Sequence, residues 1–200
     1  MKLKPGDAAP AFDAITTTGA VLTSTQLKGK FTILSFHRYV GCPLCNLAIR
    51  SFSKQAPGVV QSGLNIVNIF ESSDANLKQA LTIWGDMDFP VVADPTAKLF
   101  AMYGVDTSIM GVLRTVPQVS QVIESLRTPR VPLKKDGRDL RMPASFFLSP
   151  DLRVFDVHYG RHAGDHLTPE MTERWLKIVA RDSSAVPKKP AIPAPLPSGS

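Results

Sequence analysis

Two cysteines, Cys42 and Cys45, stand three residues apart in Cys42-Pro43-Leu44-Cys45, and they are the whole cysteine content of this 200-residue chain. Two thiols at that spacing can close one disulfide, so the first chemistry they suggest is thiol–disulfide exchange. The flanks sharpen this. Phe31-Thr32-Ile33-Leu34-Ser35-Phe36 reads as a buried strand, and Leu44, Leu47, Ala48, Ile49 and Phe52 recur at helical intervals. The pair therefore sits where a strand turns into a helix. Pro43 suits the first helical position, where its missing N–H is harmless and its φ is already helical. Cys42 then falls near the cap and Cys45 in the first turn. There, unpaired N–H groups and the positive end of the helix dipole favour a thiolate. Two other uses of the pair remain open: an inert buried pair, or half of a metal site. No second CxxC is present, so one chain alone cannot build a four-cysteine zinc site.

The elements that position this pair belong to a chain of ordinary globular composition, 44% hydrophobic and 20% charged, enough for one large core. The N-terminal Met1-Lys2-Leu3-Lys4-Pro5-Gly6-Asp7 has no apolar signal-like run, and no stretch of 18 or more apolar residues occurs. The expectation is a soluble cytoplasmic protein with no membrane partner. In a reducing compartment a CxxC pair is catalytic or metal-binding more often than structural. The formal charge of +6 is concentrated locally. From Leu113 to Arg141 seven basic residues (Arg114, Arg127, Arg130, Lys134, Lys135, Arg138, Arg141) face three acidic ones (Glu124, Asp136, Asp139), a net of +4. The segment has no aromatic side chain to stack on a base, so it reads as a solvated basic face and no nucleic-acid partner is expected.

Strand and helix signals alternate along the chain, the pattern of a sheet covered by helices. The cysteine helix is expected to end near Ala56-Pro57-Gly58. Leu64 to Phe70 reads as a strand, and Ser73-Asp74 opens a helix with Leu77, Leu81 and Trp84 on its apolar face. Phe89-Pro90-Val91-Val92-Ala93 is a short strand, Asp94-Pro95 starts a helix carrying Leu99, Phe100 and Tyr103, and Gly104 fits its C-terminal cap. The rhythm then breaks over an insertion, about residues 106–141. Its one periodic stretch, Val116, Val119, Val122, Ile123 and Leu126, forms an apolar stripe that covers the domain's own core or makes a homodimer contact. A hairpin follows, Ala144-Ser145-Phe146-Phe147-Leu148 and Val154 to Tyr159, and a last helix begins with Thr168 as N-cap. The expected organisation is a domain over residues 1–182 and a proline-rich tail over 183–200.

Several of these landmarks together resemble the peroxiredoxin-like proteins. They are Lys4-Pro5-Gly6-Asp7-Ala8-Ala9-Pro10-Ala11-Phe12, Leu27-Lys28-Gly29-Lys30, the cysteine motif, Phe89 to Pro95, and Tyr103-Gly104-Val105. The runs Phe36 to Cys45 and Gly160-Arg161-His162-Ala163-Gly164-Asp165-His166 are similar to the CxxC-containing branch of the alkyl hydroperoxide reductase / thiol-specific antioxidant family. The resemblance covers about Lys4 to Ala180. It implies an α/β thioredoxin-like fold, a central mixed β-sheet flanked by helices, with the N-terminal hairpin of peroxiredoxins and the helical insertion. The family's usual Pro-x-x-x-Thr-x-x-Cys is altered here: Arg38 takes the proline's place and Cys42 the threonine's. Cys45 is then in register with the peroxidatic cysteine, whereas thioredoxin logic makes Cys42 the attacking one. Met142-Pro143-Ala144 resembles the thioredoxin cis-proline element, which implies a cis bond at Pro143 beside the dithiol.

The reading is a thiol-dependent oxidoreductase acting on a peroxide or disulfide through Cys42 and Cys45. Electrons come from an external dithiol reductant of the thioredoxin or glutathione type, and no cofactor is needed. Arg38 and His37, just upstream, are the nearest residues to stabilise the thiolate. His158, His162 and His166 recur every four residues beside Asp165, a metal-like spacing that Gly160 and Gly164 keep from being one helix face. Two rivals follow: a copper or zinc chaperone using both cysteines and one of these histidines, and a redox-sensing interaction module without turnover.

Overall fold

The computed structural model describes residues 1–85, 87–115 and 136–181. Strands β1 (Asp13–Ile15) and β2 (Val21–Thr23) form an antiparallel hairpin. β3 (Thr32–His37), β4 (Asn65–Phe70) and β5 (Val91–Ala93) run parallel, and β6 (Ala144–Leu148) and β7 (Val154–Tyr159) continue the same sheet antiparallel, in the order β5-β4-β3-β6-β7. A bridge between Thr16 and Val92 ties the hairpin to β5. Parallel neighbours need crossovers, and α1 (Pro43–Gln61) and α2 (Asp74–Trp84) supply them. α3 (Lys98–Met102), α4 (Ile109–Leu113) and α5 (Pro169–Arg181) complete the described α-helices.

β3 and β4 are buried at every position, as expected of central strands covered on both faces. Alternation divides their side chains between two cores. Ile33, Ile66 and Phe70 join Ile49 and Phe52 of α1, Leu77 of α2 and Trp175 of α5. Leu34, Phe36, Val67 and Ile69 face the other way, onto Phe100 of α3 and onto Phe12 and Leu22 at the N-terminal hairpin. Trp175 stacks on Phe147 with ring centroids 5.0 Å apart and donates its indole N–H to Asp156 at 2.9 Å, which locks α5 onto the sheet.

The strands, Ser73 and Thr168 as caps, and Pro43 at the start of α1 fall where expected: the Ser73 hydroxyl accepts from the Asn76 N–H and the Thr168 hydroxyl from the Met171 N–H. Other expectations are corrected. α1 does not stop at Ala56-Pro57-Gly58 but continues to Gln61 with Pro57 inside it. An interior proline costs about 3 kcal/mol, and the final turn is held because it buries Val59 in the core. α3 begins later than Asp94-Pro95, because Ala97 adopts a left-handed φ of 57°. Asp94 caps it from a distance, its carboxylate accepting from the N–H groups of Lys98, Leu99 and Phe100 at 2.9, 2.8 and 3.2 Å. α4, one short helix started by the Ser108 hydroxyl on the Gly111 N–H, carries no periodic signal long enough to read in advance. The stripe from Val116 to Leu126 and the tail over 183–200 lie outside the described residues.

Pro143 is a further correction: no peptide bond among the described residues is cis, so Met142–Pro143 is trans. The chain reaches β6 already extended, with the Met142 N–H on the Asp106 carbonyl at 3.2 Å and Arg141 bridged to Thr107. The intrinsic preference of X-Pro for trans, about 0.5–1 kcal/mol, meets no opposition there.

Arg141 is not part of a solvated basic face. Its side chain is buried, with Nε donating to Glu71 Oε2 at 2.6 Å, Nη1 to the Val105 carbonyl at 2.6 Å, and its guanidinium 4.8 Å from the Phe100 ring centroid. Removing one member of a buried pair strands the other charge, at a typical cost of about 3–5 kcal/mol. Arg141→Ala is therefore expected to lower the unfolding free energy by that order in urea titrations. A loss below about 1 kcal/mol would show that exposed Arg138, 3.4 Å from the same carboxylate, suffices for Glu71.

Candidate active site

The dithiol lies beyond the C-terminal ends of β3 and β4, where Arg38 and Glu71 leave the two strands. The Glu71 N–H donates to the Arg38 carbonyl at 2.9 Å, so the exits of both strands are tied together. The chain from Arg38 then turns through Tyr39-Val40-Gly41 to Cys42, the N-cap of α1, with its N–H on the Tyr39 carbonyl at 3.0 Å. Asn46 holds this turn: its Nδ2 donates to the carbonyls of Val40 and Cys42 at 2.5 and 2.8 Å, and its Oδ1 accepts from Trp84 Nε1 at 2.8 Å. Val40 is held from the other side, its N–H on Ser72 Oγ at 3.0 Å.

Cys42 and Cys45 are both reduced and both buried. The Cys45 thiol hydrogen-bonds to the Cys42 sulfur. Arg38 Nη1 donates to Cys42 Sγ at 3.4 Å, and Arg38 Nη2 donates to the Asp139 carbonyl. These contacts separate the two thiols. Cys42 is lowered to about 6, first by the Cys45 hydrogen bond and then, against the opposing effect of burial, by the Arg38 charge and by backbone N–H groups of Leu44 and Cys45 at the start of α1. Cys45 is pushed well up, by burial first and then by donating to and facing the Cys42 sulfur. One sulfur is set up as a thiolate near neutral pH and its neighbour as a proton-bearing thiol.

Arg38, placed next to the cysteines on sequence grounds, is therefore in contact with Cys42 and is largely buried. His37 points elsewhere. Its Nε2 meets Asn68 Oδ1 at 2.6 Å, its ring stacks on Phe70 and on His166, and burial lowers it to about 4, so it is neutral. Pro143 is buried and its carbonyl accepts from the Gly160 N–H at 2.8 Å, which ties the start of β6 to the loop after β7. The spaced histidines separate: His158 lies on β7 and pairs with Asp165 at 3.1 Å, while His162 and His166 lie in the following loop. Among the described residues, no three His, Cys, Asp or Glu side chains are grouped to hold a metal ion, and no helix is long and apolar enough to cross a membrane.

Sequence reasoning did not find Asn46, Trp84, Glu71 or the segment from Asp136 to Arg141. Asn46 left a faint trace, since an asparagine one turn beyond an N-cap is a poor helix former and a ready partner for backbone carbonyls.

A reduced CxxC pair at the N-terminus of the helix that follows a central parallel strand, in a mixed sheet preceded by a hairpin, defines a thioredoxin-fold thiol protein of the peroxiredoxin-like kind. The family model described as the AhpC/TSA family matches residues 5–154, and the chain belongs to that family. It is 26% identical over 107 residues to a peroxiredoxin of Aquifex aeolicus; the match takes in 50% of this chain and 47% of that protein, so the chain spans about half of that relative's length. Among solved structures, peroxidoxin BcpB from Mycobacterium tuberculosis superposes with a TM-score of 0.64 at 15% identity, covering 90% of this chain and 98% of that one. A bacterioferritin comigratory protein of Xanthomonas campestris, whose structure is described in terms of alkyl peroxide reduction, superposes with a TM-score of 0.60 at 14% identity, covering 90% and 97%. At these identities the structures establish the shared fold.

The electrostatics give a pH-dependent expectation. A thiol lowered to about 6 is protonated below that value and ionised above it, so Cys42 alkylation should rise with a midpoint near pH 6 and level off well below the range of a free thiol. Cys45→Ala and Arg38→Ala should each move the midpoint upward, while Cys45→Ser, which keeps an O–H donor, should move it less than Cys45→Ala. An unshifted profile in both alanine variants, read by mass-resolved alkylation kinetics, would exclude this account of the thiolate.

Proposed function

We propose that the chain is a thiol-dependent peroxidase in which Cys42 attacks and Cys45 resolves. The observation that carries this reading is the pairing of a guanidinium with the Cys42 sulfur inside a buried site, in a member of a family named for hydroperoxide reduction. The Cys42 thiolate attacks the terminal oxygen of a hydroperoxide. An S–O bond forms, the O–O bond breaks, and the alkoxide leaves and takes a proton from solvent. Arg38 faces the charge on both sulfur and departing oxygen, so its contribution grows as the negative charge spreads in the transition state. The Cys45 sulfur then attacks the Cys42 sulfenic acid, expels hydroxide, and its own proton completes a water molecule. An external dithiol of the thioredoxin type, or two glutathione thiols acting in turn through a mixed disulfide, returns two electrons by exchange with the Cys42–Cys45 disulfide.

This assignment resolves the conflict between the two family analogies in favour of the first cysteine. Register alone favours Cys45, but a fully buried thiol whose proton is held by its neighbour is a poor nucleophile. It is well suited to the second step, where it needs only to reach a sulfur already touching it.

Stopped-flow oxidation of the reduced protein by hydrogen peroxide tests the proposal. Wild type should form an intramolecular disulfide at a rate at least about a hundredfold above a free thiol, the scale of one positioned cation in a dry site. Cys45→Ser should stop at a sulfenic acid on Cys42, and Cys42→Ser should fall to the free-thiol rate. A fast Cys42→Ser protein with sulfenic acid on Cys45 would reverse the roles, and a slow wild type would remove peroxide as the substrate.

A further inference from the structure

Residues 136–141 run past Arg38, Tyr39 and Glu71 beside the cysteine turn as a strap with two anchors. At one end, the Asp136 carboxylate accepts from Ser72 Oγ at 2.7 Å, the Ser73 N–H at 2.8 Å, Ser73 Oγ at 3.1 Å and Asn76 Nδ2 at 2.7 Å. All of these donors lie at the start of α2, where the dipole also favours a carboxylate. At the other end, the Asp139 carbonyl accepts from Arg38 and the Asp139 carboxylate from the Tyr39 hydroxyl at 3.2 Å. Between the anchors the strap has no clearance: a side-chain carbon added at Gly137 would stand 2.6 Å from both the Glu71 carbonyl oxygen and Tyr39 Cβ.

The strap meets the sulfur through Arg38. The guanidinium that donates to the Asp139 carbonyl is the one that donates to Cys42 Sγ. The Asp136 anchor also reaches the cysteine loop, because Ser72 Oγ accepts from the Val40 N–H while donating to Asp136. Cys42 is 1% exposed and Arg38 7%, so no oxidant reaches the sulfur without displacing something.

We propose that Asp136 is a specificity-determining residue, the latch of a strap that admits oxidants to Cys42 according to their size. Three of its four donors belong to the first turn of α2 or its cap, and only the fourth, Ser72 Oγ, also contacts the cysteine turn, at the Val40 N–H. The proposal rests on the reading above in taking Cys42 as the sulfur that must be reached. Access can be read without turnover, so its failure and the failure of the peroxidase reading are distinguishable.

The test is alkylation of Cys42, located by mass, with two uncharged reagents: iodoacetamide, and maleimide carried on a methoxy-polyethylene glycol chain. Rates are normalised to those of free cysteine and taken at a pH well above the Cys42 titration. Asp136→Ala should raise the rate of the polymer reagent at least about tenfold, the scale set by losing a single charge-assisted hydrogen bond of the four that hold the closed state. Iodoacetamide should gain much less, so the ratio of the two rates rises, whereas a change in thiolate content would move both equally. Should Asp136→Ala fail to fold, Asn76→Asp decides by the same ratio. It places a like charge against the latch while its carboxylate suits the first turn of α2. A ratio unchanged from wild type in the folded variant overturns the proposal. Hydrogen peroxide oxidation in the same variant should change less than oxidation by a bulky organic hydroperoxide, and an equal change in the two also counts against a size gate.

Discussion

The site depends on a guanidinium that cannot lose its proton and has been taken out of water. An arginine stays charged under any condition in which the fold survives, and burying that charge is tolerable only where negative charge or strong acceptors face it. Arg38 meets the requirement with an ionisable sulfur on one side and a backbone carbonyl on the other. A thiol is a weak partner when protonated and a good one when ionised. The stability of the buried guanidinium and the ionisation of Cys42 are thus one free energy seen from two ends. The helix terminus adds to it, because Cys42 occupies the N-cap position of α1, beside first-turn N–H groups that have no intrahelical acceptor.

The chain contains a second buried arginine, and the contrast between the two is instructive. Arg141 faces a carboxylate, Glu71, with near-bidentate geometry and a carbonyl besides. The pair joins the strand exits to the insertion. Arg38 is only one strand away, joined to Glu71 through its own carbonyl. The same residue type therefore faces an oxygen acid in one place and a sulfur acid in the other, and the two partners differ in their ordinary pKa.

Much of the fold was legible because its signals are local. The strands β3, β4, β6 and β7 are apolar runs bounded by turns, and the starts of α1, α2 and α5 carry Pro43, Ser73 and Thr168, whose preferences act within one turn. What could not be read is what depends on distant partners. Pro57 should end a helix on local grounds, and only burial of Val59 explains why it does not. Arg141 sits in a run of basic residues, and nothing in that run reveals that Glu71, 70 positions away, will face it. The trans bond at Pro143 depends in the same way on Asp106 and Thr107 preparing an extended approach to β6. Cys42 and Cys45 were legible as a pair, but not the difference between their surroundings. Sequence register and the thioredoxin analogy point to opposite cysteines, and neither reveals that Arg38 donates to the Cys42 sulfur.

A tension runs through this arrangement. The low dielectric around Cys42 is what lets one guanidinium and one thiol proton shift it so far, since both act weakly across water. The same enclosure hides the sulfur from anything it must react with, and hides Cys45 even more completely. A rigid site would gain a thiolate and lose its use. The fold places rigidity and freedom on different elements. The cysteine turn is bound to α1 and α2 through Asn46, Trp84 and Ser72 and is held by the core beneath it. The cover is a short segment without regular structure, attached by polar contacts at its ends. Such contacts can open at modest free energy because water replaces each partner as it leaves, which is not true of the apolar contacts that hold the turn. The sulfur can therefore stay preorganised while the segment above it moves. Arg38 stands at the boundary between the two, donating to Cys42 on one side and to the cover on the other.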